Sequence, residues 1–452
     1  MSSTILTKNQ MVKKAVQVAW PAILESFFIV LAGMIDTMMV ATMGPYAVSA
    51  VGLTAQPKFI GLAAFLSMNV AVSALVARRK GEENRKGANQ VLMTALLIAI
   101  LLCAFISIVF VVLTPTFMRW AGSNADTHEA AVIYFRVIMG GSIFNVITMI
   151  INAAQRGSGY TRISMTTNLT SSIVNVIFNY LLIGGHFGFP KWGIFGAAFA
   201  TVLGTVVAAG MAISSLYRKQ SYVSMRLVVQ EKIGPVLSVM KSIFKIGSSV
   251  FFENIAMRIG FLATAVIAAR LGTDIFAAHN VGMNLLGLAF SFADGMQVAA
   301  IALSGEALGA RQKETAKLYG SICQRIGFGI SVGLSAFLLL GGRWFFGLYF
   351  PKDPHIVEYG VLICNFMTVI VLLQISQIIF TGCLRAAGDV RYTLMTALIA
   401  CTGIRTLVTI LAVFVLHLGL HGIWIGILSD QLTRFILNGI RFRAGKWVDL
   451  RI

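Results

Sequence analysis

Apolar residues in this chain fall in long runs of about 17–25, separated by short polar connections, and that is the length a helix needs to cross the hydrocarbon core of a bilayer. About twelve such spans are expected, centred near Ala32, Ala64, Leu101, Ile143, Val174, Thr205, Ala256, Ala289, Gly333, Leu372, Leu407 and Leu428. The runs lack the period-two alternation of barrel strands, and in lipid only helices and closed barrels satisfy their own backbone. The pattern therefore predicts an all-α membrane protein.

The pattern is also written twice. Glu25, Gly44, Gly81 and Ala88 recur as Glu253, Gly272, Gly309 and Ala316, a shift of about 228 positions, and one residue further on Arg156, Gly159, Arg162 and Gly193 meet Arg385, Gly388, Arg391 and Gly422. The longest polar stretch, near Tyr217–Lys245, lies where one copy ends and the next begins. Two lobes of six helices are expected, 1–225 with the start of a cytoplasmic linker and 226–452 with its end. An even number of spans per copy relates the lobes by an axis along the membrane normal, with a central cavity between them.

Composition agrees: the chain is 57% hydrophobic and 12% charged, with mean hydropathy +0.83, outside the range of soluble domains. A net charge of +19 raises the question of nucleic acid. The distribution answers it, because Lys and Arg collect in alternate connections, as the positive-inside rule requires. Lys8, Lys13, Lys14, Arg78, Arg79, Lys80, Arg218, Lys219, Arg311, Lys313, Arg441 and Arg451 are assigned to the cytoplasm, Arg119, Arg343 and Lys352 to the opposite side. Both termini are thus expected to be cytoplasmic, in a multi-pass protein of the cell membrane that binds no nucleic acid. The opening MSSTILTKNQMVKK has no cleavable-signal anatomy, so the first span is expected to direct insertion. Cys103, Cys323, Cys364, Cys383 and Cys401 lie in or beside apolar spans without CxxC spacing, which points to packing. With no GxxxxGK[ST] loop, an ion gradient is the expected energy source, and no nucleophile–base or metal constellation marks an enzyme.

Ionisable groups inside a span are costly and usually mark an ion or substrate path. Asp36 lies toward the external half of the first span, with Glu25 about 16 Å toward the cytoplasm and nearly on the same helix face. Each is a candidate station for an ion or, alternatively, a paired structural carboxylate. Asn168, Ser172, Asn175 and Asn179 form one polar stripe on the fifth span, suited either to a site or to interhelical hydrogen bonds. Lys58 is expected to snorkel at the external end of its span. In the second copy Glu253, Arg258, Asp294, Arg405 and Asp430 need partners, and Glu253 is expected near Arg258 or Arg405. The position equivalent to Asp36 is Thr264, which cannot titrate. His417 and His421 lack a third ligand, so no metal is expected.

These residues resemble a known family, the multidrug and toxic compound extrusion (MATE) transporters. AWPAILES and GMIDTMMVATMG look like that family's first span, with Pro21 fifteen residues before Asp36; NVIFNYLLIGG and GIFGAAFATVLG look like its fifth and sixth, and CLRAAGD like its LRGxGD segment. The resemblance implies two six-helix lobes and export of small organic cations or amphipathic drugs in exchange for H⁺ or Na⁺, by a monomer without a cofactor. It points to Asp36, Asn175, Asn179 and Thr201 as an ion or proton site. Glu25, Glu253, Arg258, Asp294, Gln374 and Gln377 are candidates to line the substrate cavity. Some relatives have Asp at the place of Asn179, and those with a second-lobe ion site have a DxxQ segment where this chain reads Gln374-Ile-Ser-Gln377. Because a hard cation prefers several charged or carbonyl oxygens, H⁺ is favoured over Na⁺, in the branch that resembles the DNA-damage-inducible F proteins. The alternative is a flippase for a lipid-linked precursor of the same superfamily, whose cavity would be cationic; Lys58, Arg258 and Arg405 keep it open.

Overall fold

A computed structural model describes residues 7–218, 221–349 and 354–450. The first six residues of the opening segment, Lys219, Lys352 and Arg451 lie outside the described residues. The long helices are α1 (Lys8–Ala41), α2 (Pro45–Gly81) and α3 (Arg85–Val112), followed by short α4 (Thr114–Trp120). Next come α5 (Ala125–Gly140), α6 (Ser142–Gly157), α7 (Thr161–Gly184), α8 (Gly193–Ser215) and short α9 (Met225–Gln230). The second copy runs α10 (Leu237–Arg270), α11 (Thr273–Gly309), α12 (Lys313–Tyr349), α13 (Pro354–Ala386), α14 (Val390–Ala397), α15 (Arg405–Ile410) and α16 (Gly419–Ala444). Two π-helical stretches, Leu398–Ile404 and Leu411–Val415, flank α15.

Among the described residues nine helical segments are long and apolar enough to cross a membrane, and α5 with α6, bent by 46°, makes a tenth. α7 and α16, 24 and 26 residues long, complete the expected twelve. They are less apolar because α7 carries the asparagine stripe and α16 carries Asp430, Gln431 and Arg434.

The duplication is preserved in the backbone. α2 and α11 are both 37 residues long, and each is entered through a glycine with positive φ, Gly44 at 114° and Gly272 at 123°, a region that residues with a Cβ avoid. The copies differ later: α5 and α6 meet at a bend where α13 runs unbroken for 33 residues, and the regular α7 corresponds to α14 and α15 with their π turns. A π turn inserts a residue without ending a helix.

Two units emerge from the packing, Leu24–Ser248 and the described part of Met1–Ile23 with Ser249–Ile452; they are called here the first and second unit. In the first, Val40, Ala47, Tyr134, Ile138, Ile183, Ala197 and Ala198 form one buried cluster. In the second, the start of α1 packs Met11, Ala15, Val18 and Ala19 into a core with Phe346, Ile370 and Trp424, and Lys14 pairs with Glu306 at 2.9 Å. The abundance of Ala is what close helix approach in a bilayer requires, since lipid provides no hydrophobic drive between helices. All five cysteines are buried.

Candidate functional site

α1 and α7 lie side by side in the first unit and are zipped at two depths. Glu25 and Asp36 are spaced along α1 as Asn168 and Asn179 are along α7, so each acidic group meets one amide: Asn168 Nδ2 donates to Glu25 Oε1 at 2.6 Å, and Asn179 Nδ2 donates to Asp36 Oδ1. The polar stripe thus faces protein, as its periodicity demands.

The outer station gathers all four residues singled out for an ion or proton. Asn175 Nδ2 donates to Thr201 Oγ1 of α8 at 3.0 Å, and Thr201 donates to Ala197 O at 3.1 Å. α8 comes this near because Gly204 has no side chain: a Cβ there would stand 2.7 Å from Ser171 O. Asn179 is fully buried and its carbonyl oxygen has no hydrogen-bond partner among the described residues. An orphaned acceptor beside a carboxylate is unfavourable unless something positive or a donor meets it. Asp36, Asn175, Asn179 and Thr201 therefore supply a set of oxygens with a single negative charge, able to hold a proton or a small cation.

Two further residues belong here. Tyr134 of α5 is buried and within electrostatic reach of Asp36; nothing in its apolar run marked it, except that a phenol inside a span needs a partner. Lys58 lines a cavity of about 50 Å³ with Ser142, Asn145, Thr201 and Thr205, within electrostatic reach of Asp36.

The inner station is an ion pair. Arg156 Nη1 donates to Glu25 Oε1 at 2.7 Å and to Ser164 at 3.0 Å, Arg156 Nη2 to Asn69 Oδ1 at 2.9 Å, and Ser164 to Glu25 at 2.9 Å. The second unit repeats the motif residue for residue. Arg385 Nη2 lies 2.9 Å from Glu253 Oε2, Thr393 donates to Glu253 at 3.0 Å, and Arg385 Nη1 reaches Gln297 at 3.4 Å. Glu25, Asn69, Arg156 and Ser164 thus correspond to Glu253, Gln297, Arg385 and Thr393. The partner of Glu253 is therefore Arg385, not Arg258 or Arg405. Asp294 is exposed and within electrostatic reach of Arg385; Arg258 is exposed.

Arg405 is held elsewhere in the second unit: its Nε donates to Thr264 at 2.9 Å and its Nη1 lies 3.5 Å from Asp430 Oδ2. Arg434 grips the same carboxylate at 2.8 and 2.9 Å. Gln374 and Gln377 are buried in α13, Gln377 reaching Gln431 at 3.5 Å and Gln374 without a partner among the described residues. The structure thus assembles Asp36, Asn175, Asn179 and Thr201 in the first unit, and places Glu25 and Glu253 in ion pairs.

A sequence model described as MatE matches residues 21–181 and 249–411. The chain is 28% identical over 443 residues to a probable multidrug resistance protein NorM of Thermotoga maritima, covering 96% of this chain and 93% of that protein. It is 25% identical over 403 residues to the multidrug resistance protein PmpM of Pseudomonas aeruginosa, covering 87% and 82%. Among solved structures, the outward-facing conformation of a multidrug resistance MATE family transporter of the MOP superfamily superposes with a TM-score of 0.89 at 23% identity, covering 96% of this chain and 97% of that one, a likeness of fold.

Proposed function

This chain belongs to the MatE family, and from that premise we propose that it is a secondary active antiporter. It exports cationic or amphipathic organic compounds by alternating access in exchange for H⁺, as a monomer with both termini in the cytoplasm. It is a transporter and not an enzyme. The names of its NorM and PmpM relatives support multidrug efflux as the activity.

The observation that carries the reading is the Asp36 cluster: one carboxylate in a membrane helix, bound by Asn179 and surrounded by neutral oxygens. A group with one negative charge is neutralised fully by one proton, whereas Na⁺ is held best where several charged or carbonyl oxygens converge. The flippase reading loses its main support in the second unit, because the Arg405 guanidinium is engaged by Asp430 and Thr264 and is not presented to a pyrophosphate.

The test is substrate-stimulated ion flux in proteoliposomes under imposed pH and Na⁺ gradients in turn. Flux of an organic cation that follows the pH gradient supports the proposal; flux that ignores both gradients would overturn it.

A further inference from the structure

The second unit contains a counterpart of the Asp36 cluster, and it is already filled. Thr264 stands in the repeat where Asp36 stands, and Asp430 where Thr201 stands, so carboxylate and hydroxyl have exchanged helices. Arg405 falls one register step beyond the mate of Asn175, and the π-helical turn at Leu398–Ile404 accommodates that extra residue. In the first unit the asparagines of α7 reach two neighbours, Asn179 to Asp36 and Asn175 to Thr201. In the second, the one Arg405 side chain reaches both corresponding positions, Thr264 at 2.9 Å and Asp430 at 3.5 Å.

Its surroundings are those of a bound cation. Arg405 is 1% exposed, Asp430 and Thr264 are fully buried, and the face of Phe261 lies 4.6 Å from the guanidinium carbon. Arg434 closes the other edge of Asp430 with two hydrogen bonds, so the carboxylate is shared between two fixed positive charges.

We infer that Arg405 is a tethered cation: its guanidinium occupies, in the second unit, the place that an exchangeable cation or proton takes among Asp36, Asn175, Asn179 and Thr201 in the first. Only the first unit then exchanges a cation with solvent in each cycle. This rests on the reading of the Asp36 cluster as the coupling site.

The test is thermal unfolding of the purified full-length protein in nanodiscs, with guanidinium or tetramethylammonium chloride added at low millimolar concentration. Arg405→Ala should unfold at lower temperature than the parent and gain a saturable rise in Tm of a few degrees from guanidinium but not from tetramethylammonium, with no such rise in the parent. An identical response of the two proteins to guanidinium would overturn the inference. A second measurement needs no change at Arg405: equilibrium dialysis of ²²Na⁺ against Asp36→Asn protein, whose second unit is intact, should find none bound. Saturable binding that disappears on adding Asp430→Asn would overturn the tethered cation and leave the coupling reading standing. Failure of that reading shows separately, as pH-driven transport that survives Asp36→Asn, and would remove the inference with it.

Discussion

Replacing Glu253 by glutamine isolates the repeated Glu–Arg pair and has a magnitude that follows from its geometry. Glu253 and Arg385 are 6% and 8% exposed at their side chains, so solvent screens the pair little. Gln keeps the shape and the acceptor for Thr393, but it leaves the Arg385 charge buried with only the 3.4 Å contact to Gln297. Breaking a buried pair on one side costs about 3–5 kcal/mol. Glu253→Gln should therefore fall in that range. The matching Glu25→Gln should cost less, about 1–3 kcal/mol, because Arg156 retains hydrogen bonds of 2.9 and 3.0 Å to Asn69 and Ser164. Equilibrium unfolding in mixed micelles would measure both. A double variant, Glu253→Gln with Arg385→Met, should recover part of the loss, since replacing both charges removes the uncompensated one. If Glu253→Gln were as stable as the parent, or if Glu25→Gln were the more damaging, the ion-pair account would be wrong.

Other consequences are open to measurement. Transport of an organic cation should follow an imposed pH gradient at zero Na⁺; transport that vanishes without Na⁺ at fixed pH would show that the neutral oxygens of Asn175, Asn179 and Thr201 suffice for a metal cation. Tyr134→Phe takes a buried hydroxyl out of the first unit near the Asp36 charge and should weaken the apparent affinity for the driving ion without lowering the maximal rate; an unchanged affinity would remove Tyr134 from the site. Lys58→Met should make transport responsive to Na⁺ by removing the positive charge near Asp36, and a variant that stays indifferent to Na⁺ would deny Lys58 that part.

The twelve spans were legible because bilayer thickness imposes one length on every crossing helix, and that length shows as apolar runs. The stripe on α7 was legible for a similar reason: spacings of three and four residues keep Asn168, Ser172, Asn175 and Asn179 on one face. Its division into two stations was not, because only the neighbouring helix decides that Asn168 meets Glu25 and Asn179 meets Asp36. The partner of Glu253 was missed for want of the same information. Arg258 and Arg405 lie in apolar spans and drew attention as costly charges, whereas Arg385 reads as part of a cytoplasmic connection. A signal was nevertheless present, since Glu25 with Arg156 and Glu253 with Arg385 are duplicated together, and opposite charges that recur as a pair in a repeat are natural partners. Lys58 stays open in the sequence because a lysine near a span end looks the same whether it snorkels outward or turns into a cavity.

The central claim is that Asp36 carries the exchanged proton. Asp36→Asn keeps the shape of the side chain and a carbonyl acceptor for Asn179, so the protein should fold and insert as the parent does, yet the amide cannot bind and release a proton. Reconstituted side by side under the same imposed pH gradient, the parent should accumulate an organic cation against its concentration gradient and the Asp36→Asn protein should not. Accumulation by Asp36→Asn at the rate of the parent would contradict the account.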